Sequence, residues 1–317
     1  MKALRFGRFG PPSVLSIEEI PKPEPGDGEA LVRVRAAAIN PSDVKNVAGS
    51  FPVTTLARTP GRDFSGVVVS GEAEVGEEVW GSVPGFGMTR DGAQAEYVVV
   101  PTEVLSRKPR NLSMEQAAAI GVPFITAWAA VVGAAQLVAG ETILIVGAGG
   151  AVGQAATQIA NWKGAHVLGA DLKRDRIEGT EAVIDAAKDD LRERVFALTN
   201  GKGADAVLDT VGGPMFEKAL RSLRLGGRQI VITSVGDPRV SFNLVDFYHN
   251  LSRLIGVDSN HLTLREVADI TDALRSGFES GILKPPPIEV IPFEKAVEAY
   301  ERVAVGQAAA KQVLSIS

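Results

Sequence analysis

Glycine spacing sets the first constraint on chemistry in this chain. In Glu141-Thr-Ile-Leu-Ile-Val-Gly-Ala-Gly-Gly-Ala-Val-Gly153 an apolar run, Ile143 to Val146, meets a glycine-rich turn. An Ala-rich segment with helical spacing, Gln154 to Ala160, follows at once. A strand that turns directly into a helix lets a pyrophosphate reach its backbone only where side chains are missing, and Gly147, Gly150 and Gly153 remove them. The free N–H groups and the positive end of the new helix would face the phosphates. A second strand pattern, Ala165-His-Val-Leu-Gly-Ala170, ends at Asp171, 18 residues after Gly153. An acid there would bond the ribose hydroxyls of an adenine dinucleotide. The plain alternative is an ordinary strand–helix–strand unit whose glycines only serve packing; the agreement of order and spacing favours binding.

Composition narrows the chemistry further. The 317 residues suffice for two domains, and the formal net charge is −5, with 33 basic and 38 acidic residues and no basic stripe. Nucleic acid is therefore not the expected partner. The first residues show no apolar leader run and no stretch is long and apolar enough to span a membrane, so the expectation is a soluble, cytoplasmic protein. With no cysteine, disulfides, thiolate-ligated zinc and a catalytic thiol are impossible. The three histidines, His166, His249 and His261, lie far from any acid cluster with metal-ligand spacing, so no metal site is expected. His166 sits within a strand pattern and reads as structural.

The elements that must position the glycine turn are legible as patterns. Residues 1–123 are rich in short β-type runs broken by Gly and Pro, such as Ala30-Leu-Val-Arg-Val-Arg35, Gly66-Val-Val-Val-Ser70 and Ala95-Glu-Tyr-Val-Val-Val100, the mark of a partly antiparallel, barrel-like domain. Residues 124–262 alternate strand and helix, with further strands at Val183-Ile-Asp185, Ala206-Val-Leu-Asp209, Gln229-Ile-Val-Ile-Thr233 and Leu254-Ile-Gly-Val257. Such alternation predicts a doubly wound parallel sheet covered by helices on both faces. Residues 263–317 return to mixed structure and complete the first domain, with an amphipathic helix from Phe293 to Val303 and a last strand from Lys311.

This layout resembles the medium-chain dehydrogenase/reductase superfamily along essentially the whole chain. The opening Met1-Lys-Ala-Leu, the run Pro60-Gly-Arg-Asp-Phe-Ser-Gly-Val-Val68, the stretch Asp91-Gly-Ala-Gln-Ala-Glu-Tyr-Val-Val-Val-Pro101 and the ending Lys311-Gln-Val-Leu carry the resemblance. It implies an α/β fold: a GroES-like barrel-type β domain plus a Rossmann doubly wound parallel sheet. The most similar branch is that of the zinc-free, zeta-crystallin-like quinone oxidoreductases and enone reductases. Zinc alcohol dehydrogenases carry a Cys-Gly-Thr-Asp type element where this chain has Pro41-Ser-Asp-Val44, and Gly-His-Glu where it has Gly61-Arg62-Asp63. Their four-cysteine lobe is missing as well. The resemblance thus implies hydride transfer from NADH or NADPH to a quinone or an α,β-unsaturated carbonyl, without zinc. A dinucleotide-binding redox sensor or structural protein without turnover is the alternative.

The resemblance also distributes roles. The dinucleotide loop keeps the spacing Ala148-x-Gly150-x-x-Gly153, although Ala151 replaces a glycine and Asn161 a basic residue, and it implies cofactor contacts at Ala148, Gly150, Ala151, Val152 and Gly153. Asp171 favours NADH because a carboxylate repels a 2′-phosphate, whereas Lys173 and Arg174 directly after it could attract one. Further cofactor contacts implied by position are Thr126, Arg176, the loop Thr210-Val211-Gly212, the loop Ser234-Val235, and Lys311 at a phosphate. Asn40-Pro-Ser-Asp-Val-Lys45 resembles the substrate element of enone reductases: Asn40 would donate to a substrate carbonyl, and Lys45 would stabilise or protonate the enolate. Residue chemistry alone favours a turn Asn before Pro and a solvent-facing Lys beside Asp43. Phe51, Phe86, Trp128 and Phe247 are the expected apolar lining. A homodimer is implied, paired through an edge strand near Gln229 to Thr233.

Overall fold

The short, glycine-punctuated runs of the N-terminal third pair as strands because each carries apolar residues on one face and ends in a turn former. The computed structural model describes residues 1–172 and 177–316. The first strands are β1 (Lys2–Arg5) and β2 (Ser16–Glu19), which pair with each other, then β3 (Glu29–Ala38). Helix α1 (Pro41–Val47) follows, then β4 (Asp63–Gly71), β5 (Glu78–Ser82), β6 (Tyr97–Pro101) and β7 (Ser106–Arg107). Helices α2 (Met114–Ala119) and α3 (Gly121–Trp128) end this part of the chain.

Next come β8 (Thr142–Val146), α4 (Ala151–Trp162), β9 (His166–Asp171), β10 (Ala182–Asp185), α5 (Leu191–Leu198) and β11 (Ala204–Asp209). They continue as α6 (Phe216–Leu220), β12 (Leu223–Val231), α7 (Leu244–His249) and β13 (Arg253–Gly256). The chain closes with α8 (Leu264–Glu279), β14 (Ile288–Pro292), α9 (Ala296–Ala304) and β15 (Lys311–Ser315). Two compact units result: Met1–Ile125 with Asn260–Ser317, and Thr126–Ser259.

In the first unit a seven-stranded sheet runs β14-β15-β3-β4-β5-β7, with β6 also pairing β3. Its pairs are antiparallel except β14 with β15. The sheet binds the two ends of the sequence together: β15 lies on β3 with Val313 opposite Ala38, and the Ile39 N–H donates to the Gln312 carbonyl at 3.0 Å. Lys311 is thereby brought beside the chain that leaves β3 at Asn40. Phe124 packs edge-on against Phe278 of α8, ring centroids 4.9 Å apart, inside the same unit.

The second unit is a six-stranded, all-parallel sheet in the order β10-β9-β8-β11-β12-β13. Strand order reverses between β8 and β11, and loops leaving the carboxyl ends at such a reversal flank a ligand crevice. Leu144 and Val146 of β8 pack with Leu191 and Val195 of α5 and Phe216 and Leu220 of α6. The alternate residues Ile143 and Ile145 are also fully buried, so both faces of the strand are covered, which explains its unbroken apolar sequence.

Strand β12 corrects one expectation. It lies between β11 and β13, and Gln229 is fully buried, so Gln229 to Thr233 do not form an edge. The apolar run read as an edge is apolar because it is interior. The outer strands of this sheet are β10 and β13. No helix among the described residues is long and apolar enough to cross a membrane.

Candidate active site

Two groups of candidate residues form, one in each unit. In the second unit the turn after β8 has the shape that its glycines require. Gly147 adopts φ +78°, and a Cβ there would lie 2.3 Å from Thr210 Oγ1. A Cβ on Gly153 would lie 2.3 Å from the Gly147 carbonyl oxygen, so the first turn of α4 can pack on the loop only because Gly153 has no side chain. Gly150 precedes α4, whose twelve residues begin at Ala151. Ala148 and Gly153 are buried, Gly150 and Ala151 exposed and Val152 half-buried. The N–H groups of Gly147, Ala148 and Gly150 are bonded to backbone carbonyls, so it is the first turn of α4 that presents a helix N-terminus at this loop.

Asp171 ends β9 beside this loop, and its Oδ2 accepts the Gly149 N–H at 2.9 Å. On the other side of the reversal, Thr210 Oγ1 donates to the Val146 carbonyl at 2.7 Å and ties the loop after β11 to the end of β8. That loop is organised by the residue that ends β11. Buried Asp209 accepts the Val211 and Gly212 N–H groups on Oδ1, at 3.0 and 2.7 Å. Burial raises its pKa against these stabilising bonds. Val235 N–H donates to the Val211 carbonyl at 2.9 Å, bringing the loop containing Ser234 and Val235 alongside. Thr126 donates its hydroxyl to Ser259 Oγ at 3.0 Å. Arg176, with Lys173 and Arg174, lies outside the described residues.

In the first unit a buried polar cluster gathers at the N-terminus of α1. Asn40 is the N-cap, with 2 % exposure. Its backbone N–H donates to Asp43 Oδ2 at 2.8 Å, as Asp43 at the third helical position is placed to accept it. The Asn40 carboxamide takes two other partners: Nδ2 donates to Asp63 Oδ2 at 2.9 Å, and Oδ1 accepts from the Lys311 ammonium. Asp63, fully buried, also accepts the Val122 N–H on Oδ1 at 2.8 Å. Buried Arg62 adds a second positive charge. Beside these groups Tyr300 donates to Gln94 Oε1 at 2.7 Å, and Gln94 Nε2 to the Ala38 carbonyl at 3.1 Å.

The cluster perturbs its own ionisations. Burial, then the neighbouring charge of Asp63, pushes Asp43 up to about 6. Burial lowers Lys311, against the opposing pull of Asp63 and Asp43. Burial holds the Tyr300 phenol well above its ordinary range.

The other first-unit candidates divide. Lys45 is exposed on α1, while Lys311 is half-buried in the cluster. The hydroxyl of Ser42, one residue into α1 beyond Pro41, is buried with no hydrogen-bond partner among the described residues. Ser42, Asp43 and Asp63 escaped the sequence reading. The Asn-x-x-Asp spacing at 40–43 is a capping signal that could have found Asp43.

The expected aromatic lining is corrected at Phe86. Phe86 is 1 % exposed and packs in the core, its ring centroid 6.4 Å from that of Phe64. Trp128 stacks edge-on with Trp162 at 5.6 Å. Phe247 packs edge-on against Phe242 at 5.4 Å, beside the second unit's core. Each ring is held by other rings in its own unit. His166 is exposed at the start of β9, its Nδ1 2.6 Å from Glu181.

The raised pKa of Asp43 makes stability depend on pH in a definite direction. The folded state holds this proton up to about pH 6 while the unfolded chain releases it near 3.8, so the contribution is full below about pH 4 and lost as pH rises through 6. Asp43→Asn keeps an acceptor for the Asn40 N–H and removes the titration. Urea unfolding of both proteins from pH 4 to 7 should show the variant gaining on the parent, by on the order of 2–3 kcal/mol across the window. Parallel curves would contradict the assignment.

Comparison with known proteins fits this geometry. Residues 26–110 match the family described as alcohol dehydrogenase GroES-like domain, and residues 151–274 that described as zinc-binding dehydrogenase. A zinc-type alcohol dehydrogenase-like protein of Schizosaccharomyces pombe is 35 % identical, over 100 % of this chain and 98 % of the relative. The quinone oxidoreductase of Homo sapiens is 32 % identical, over 99 % and 97 %. A solved NAD-dependent alcohol dehydrogenase superposes with a TM-score of 0.88 at 29 % identity, covering 100 % of both chains. The zinc in two of these descriptions does not fit the donors here. The chain has no cysteine, so no thiolate is present to hold zinc. The chain belongs to the medium-chain dehydrogenase/reductase superfamily, in its zeta-crystallin-like quinone oxidoreductase branch.

Proposed function

We propose that the protein is a zinc-independent, NAD(P)H-dependent oxidoreductase that reduces a quinone or an α,β-unsaturated carbonyl, with NADH as its preferred dinucleotide. The observation that carries this reading is the glycine loop at the reversal of the parallel sheet with Asp171 bonded to its Gly149 N–H. It is supported by the names of the relatives: one is a quinone oxidoreductase and another an NAD-dependent dehydrogenase. When bound, a reduced nicotinamide supplies a hydride. The residues of this chain bind, orient and manage charge.

The backbone from Ala148 to Gly153 and the N-terminus of α4 would hold the pyrophosphate, with Ala151 and Val152 in the first helical turn. Asp171 would accept from the ribose hydroxyls, with Arg176 as a neighbouring adenosine contact. Thr126, Thr210, Val211, Gly212, Ser234 and Val235 would flank the nicotinamide half. On the acceptor side, Asn40 keeps one N–H beyond that given to Asp63, which would donate to the acceptor oxygen. Hydride addition at the β-carbon leaves negative charge on that oxygen, where the Lys45 ammonium would stabilise it or supply the proton.

NADH and NADPH oxidation, followed at 340 nm against a panel of quinones and enones, tests this. NADH turnover with one acceptor class is expected, and Asp171→Ser should move the kcat/KM ratio towards NADPH by about tenfold or more. Tight dinucleotide binding without turnover would favour a redox sensor instead. Lys45→Ala should lower enone turnover by about 100-fold and leave dinucleotide affinity unchanged; full activity would remove Lys45 from the mechanism.

We further propose a homodimer formed through β13. Among the described residues this strand has one hydrogen-bonded neighbour, and Leu254 on it is 43 % exposed, near Leu251 at 66 %. A two-fold axis at this edge would continue the sheet into a second copy. Light scattering should give twice the chain mass for the parent and the single mass for Leu254→Lys; a monomeric parent would refute the dimer.

A further inference from the structure

We propose that Lys311 is a positioning residue, whose ammonium locks the Asn40 carboxamide in one of its two flip states and so fixes the N–H that Asn40 offers to the acceptor oxygen. This rests on the role given to Asn40 above. A carboxamide carries an acceptor on one arm and two donors on the other. Here Oδ1 meets the Lys311 ammonium and Nδ2 meets Asp63 at 2.9 Å. A flip would set NH2 against an ammonium and a carbonyl oxygen against a carboxylate, replacing two charge-assisted bonds with two repulsions. Each clamp is itself anchored. Asp63 is held by the Val122 N–H, and Lys311 opens β15, whose pairing with β3 places it beside Asn40. Asp63 takes only one of the two N–H groups, so the lock leaves the second in a defined direction.

Fixing one N–H matters because a hydrogen-bond donor assists charge development only if it is aimed before the reaction begins. A freely flipping Asn40 would present its carbonyl oxygen to the acceptor oxygen part of the time, an opposing dipole. The lock depends on the ammonium being charged. The groups around it are Asp43 from α1, Asp63 and Arg62 at the start of β4, and Tyr300 from α9. Burial lowers the Lys311 pKa below the ordinary 10.5, so the charge, and with it the lock, fades at a lower pH than it would for a solvated lysine.

The test is the pH profile of kcat from 6 to 10 for the parent, Lys311→Arg and Lys311→Met, with NADH and the best acceptor of the panel, alongside the NADH dissociation constant from fluorescence quenching. The parent should show an alkaline fall in kcat below pH 10.5 that Lys311→Arg lacks, since a guanidinium keeps its charge throughout. Lys311→Met should lose on the order of tenfold to 100-fold in kcat at pH 7, with NADH affinity nearly unchanged. The proposal is overturned if the alkaline fall persists in Lys311→Arg, if Lys311→Met keeps full kcat, or if its loss is wholly one of NADH affinity, which would make Lys311 a phosphate ligand alone. Should circular dichroism show Lys311→Met unfolded, the shift of the alkaline limb in Lys311→Arg decides by itself. A parent without turnover would overturn the oxidoreductase reading and this inference with it; an active parent whose alkaline limb is unmoved in Lys311→Arg overturns this inference only.

Discussion

The Asn40 carboxamide lies between the Lys311 ammonium and the Asp63 carboxylate, and much of the first unit is arranged to make that possible. A buried carboxylate is costly unless paired and hydrogen-bonded, and here two carboxylates, Asp43 and Asp63, share one cluster with two cations, Arg62 and Lys311. The cations come from distant points of the sequence. Only the antiparallel seam of β15 on β3 delivers Lys311 to the exit of β3, so the closing strand of the chain supplies a charge that the beginning of the chain needs. The capping of α1 by Asn40 and Asp43 is the local half of the same arrangement.

The second unit solves a different problem, that of exposing backbone rather than burying charge. Parallel strands buried on both faces end at the same side of the sheet, and the reversal of order between β8 and β11 parts the loops that follow them. Gly147 and Gly153 let the turn close without side chains. Asp171 and Asp209 then bond the backbone N–H groups of the two loops from opposite sides of the reversal, so each loop is shaped by a carboxylate at the end of a strand.

The parallel sheet was legible because its signals are local: apolar runs of strand length, glycines at fixed spacing and an acid at the end of the second strand. The two-part β domain was legible as a type, through punctuated short strands and the family resemblance. What escaped the reading depends on pairing between remote segments. The contact of Lys311 with Asn40 spans 271 positions, and no local pattern encodes it. Asp63 lay in view within Gly-Arg-Asp, yet its partners, Asn40 and Val122, come from other segments. The apolar segment at Gln229 was taken for an edge because interior and edge strands differ in their neighbours, which composition does not specify. Phe86 failed as lining for the same reason, since an aromatic ring looks alike in sequence whether it faces a ligand or the core.

The most direct test of the account follows the transferred atom. NADH carrying deuterium at both C4 positions of the nicotinamide, incubated with the protein and an α,β-unsaturated ketone or a quinone, should yield reduced acceptor, with the label on the β-carbon when the acceptor is the enone, as read by mass spectrometry and proton NMR. Label found only in unreacted dinucleotide, or reduced enone without deuterium at the β-carbon, would contradict direct hydride transfer by this protein.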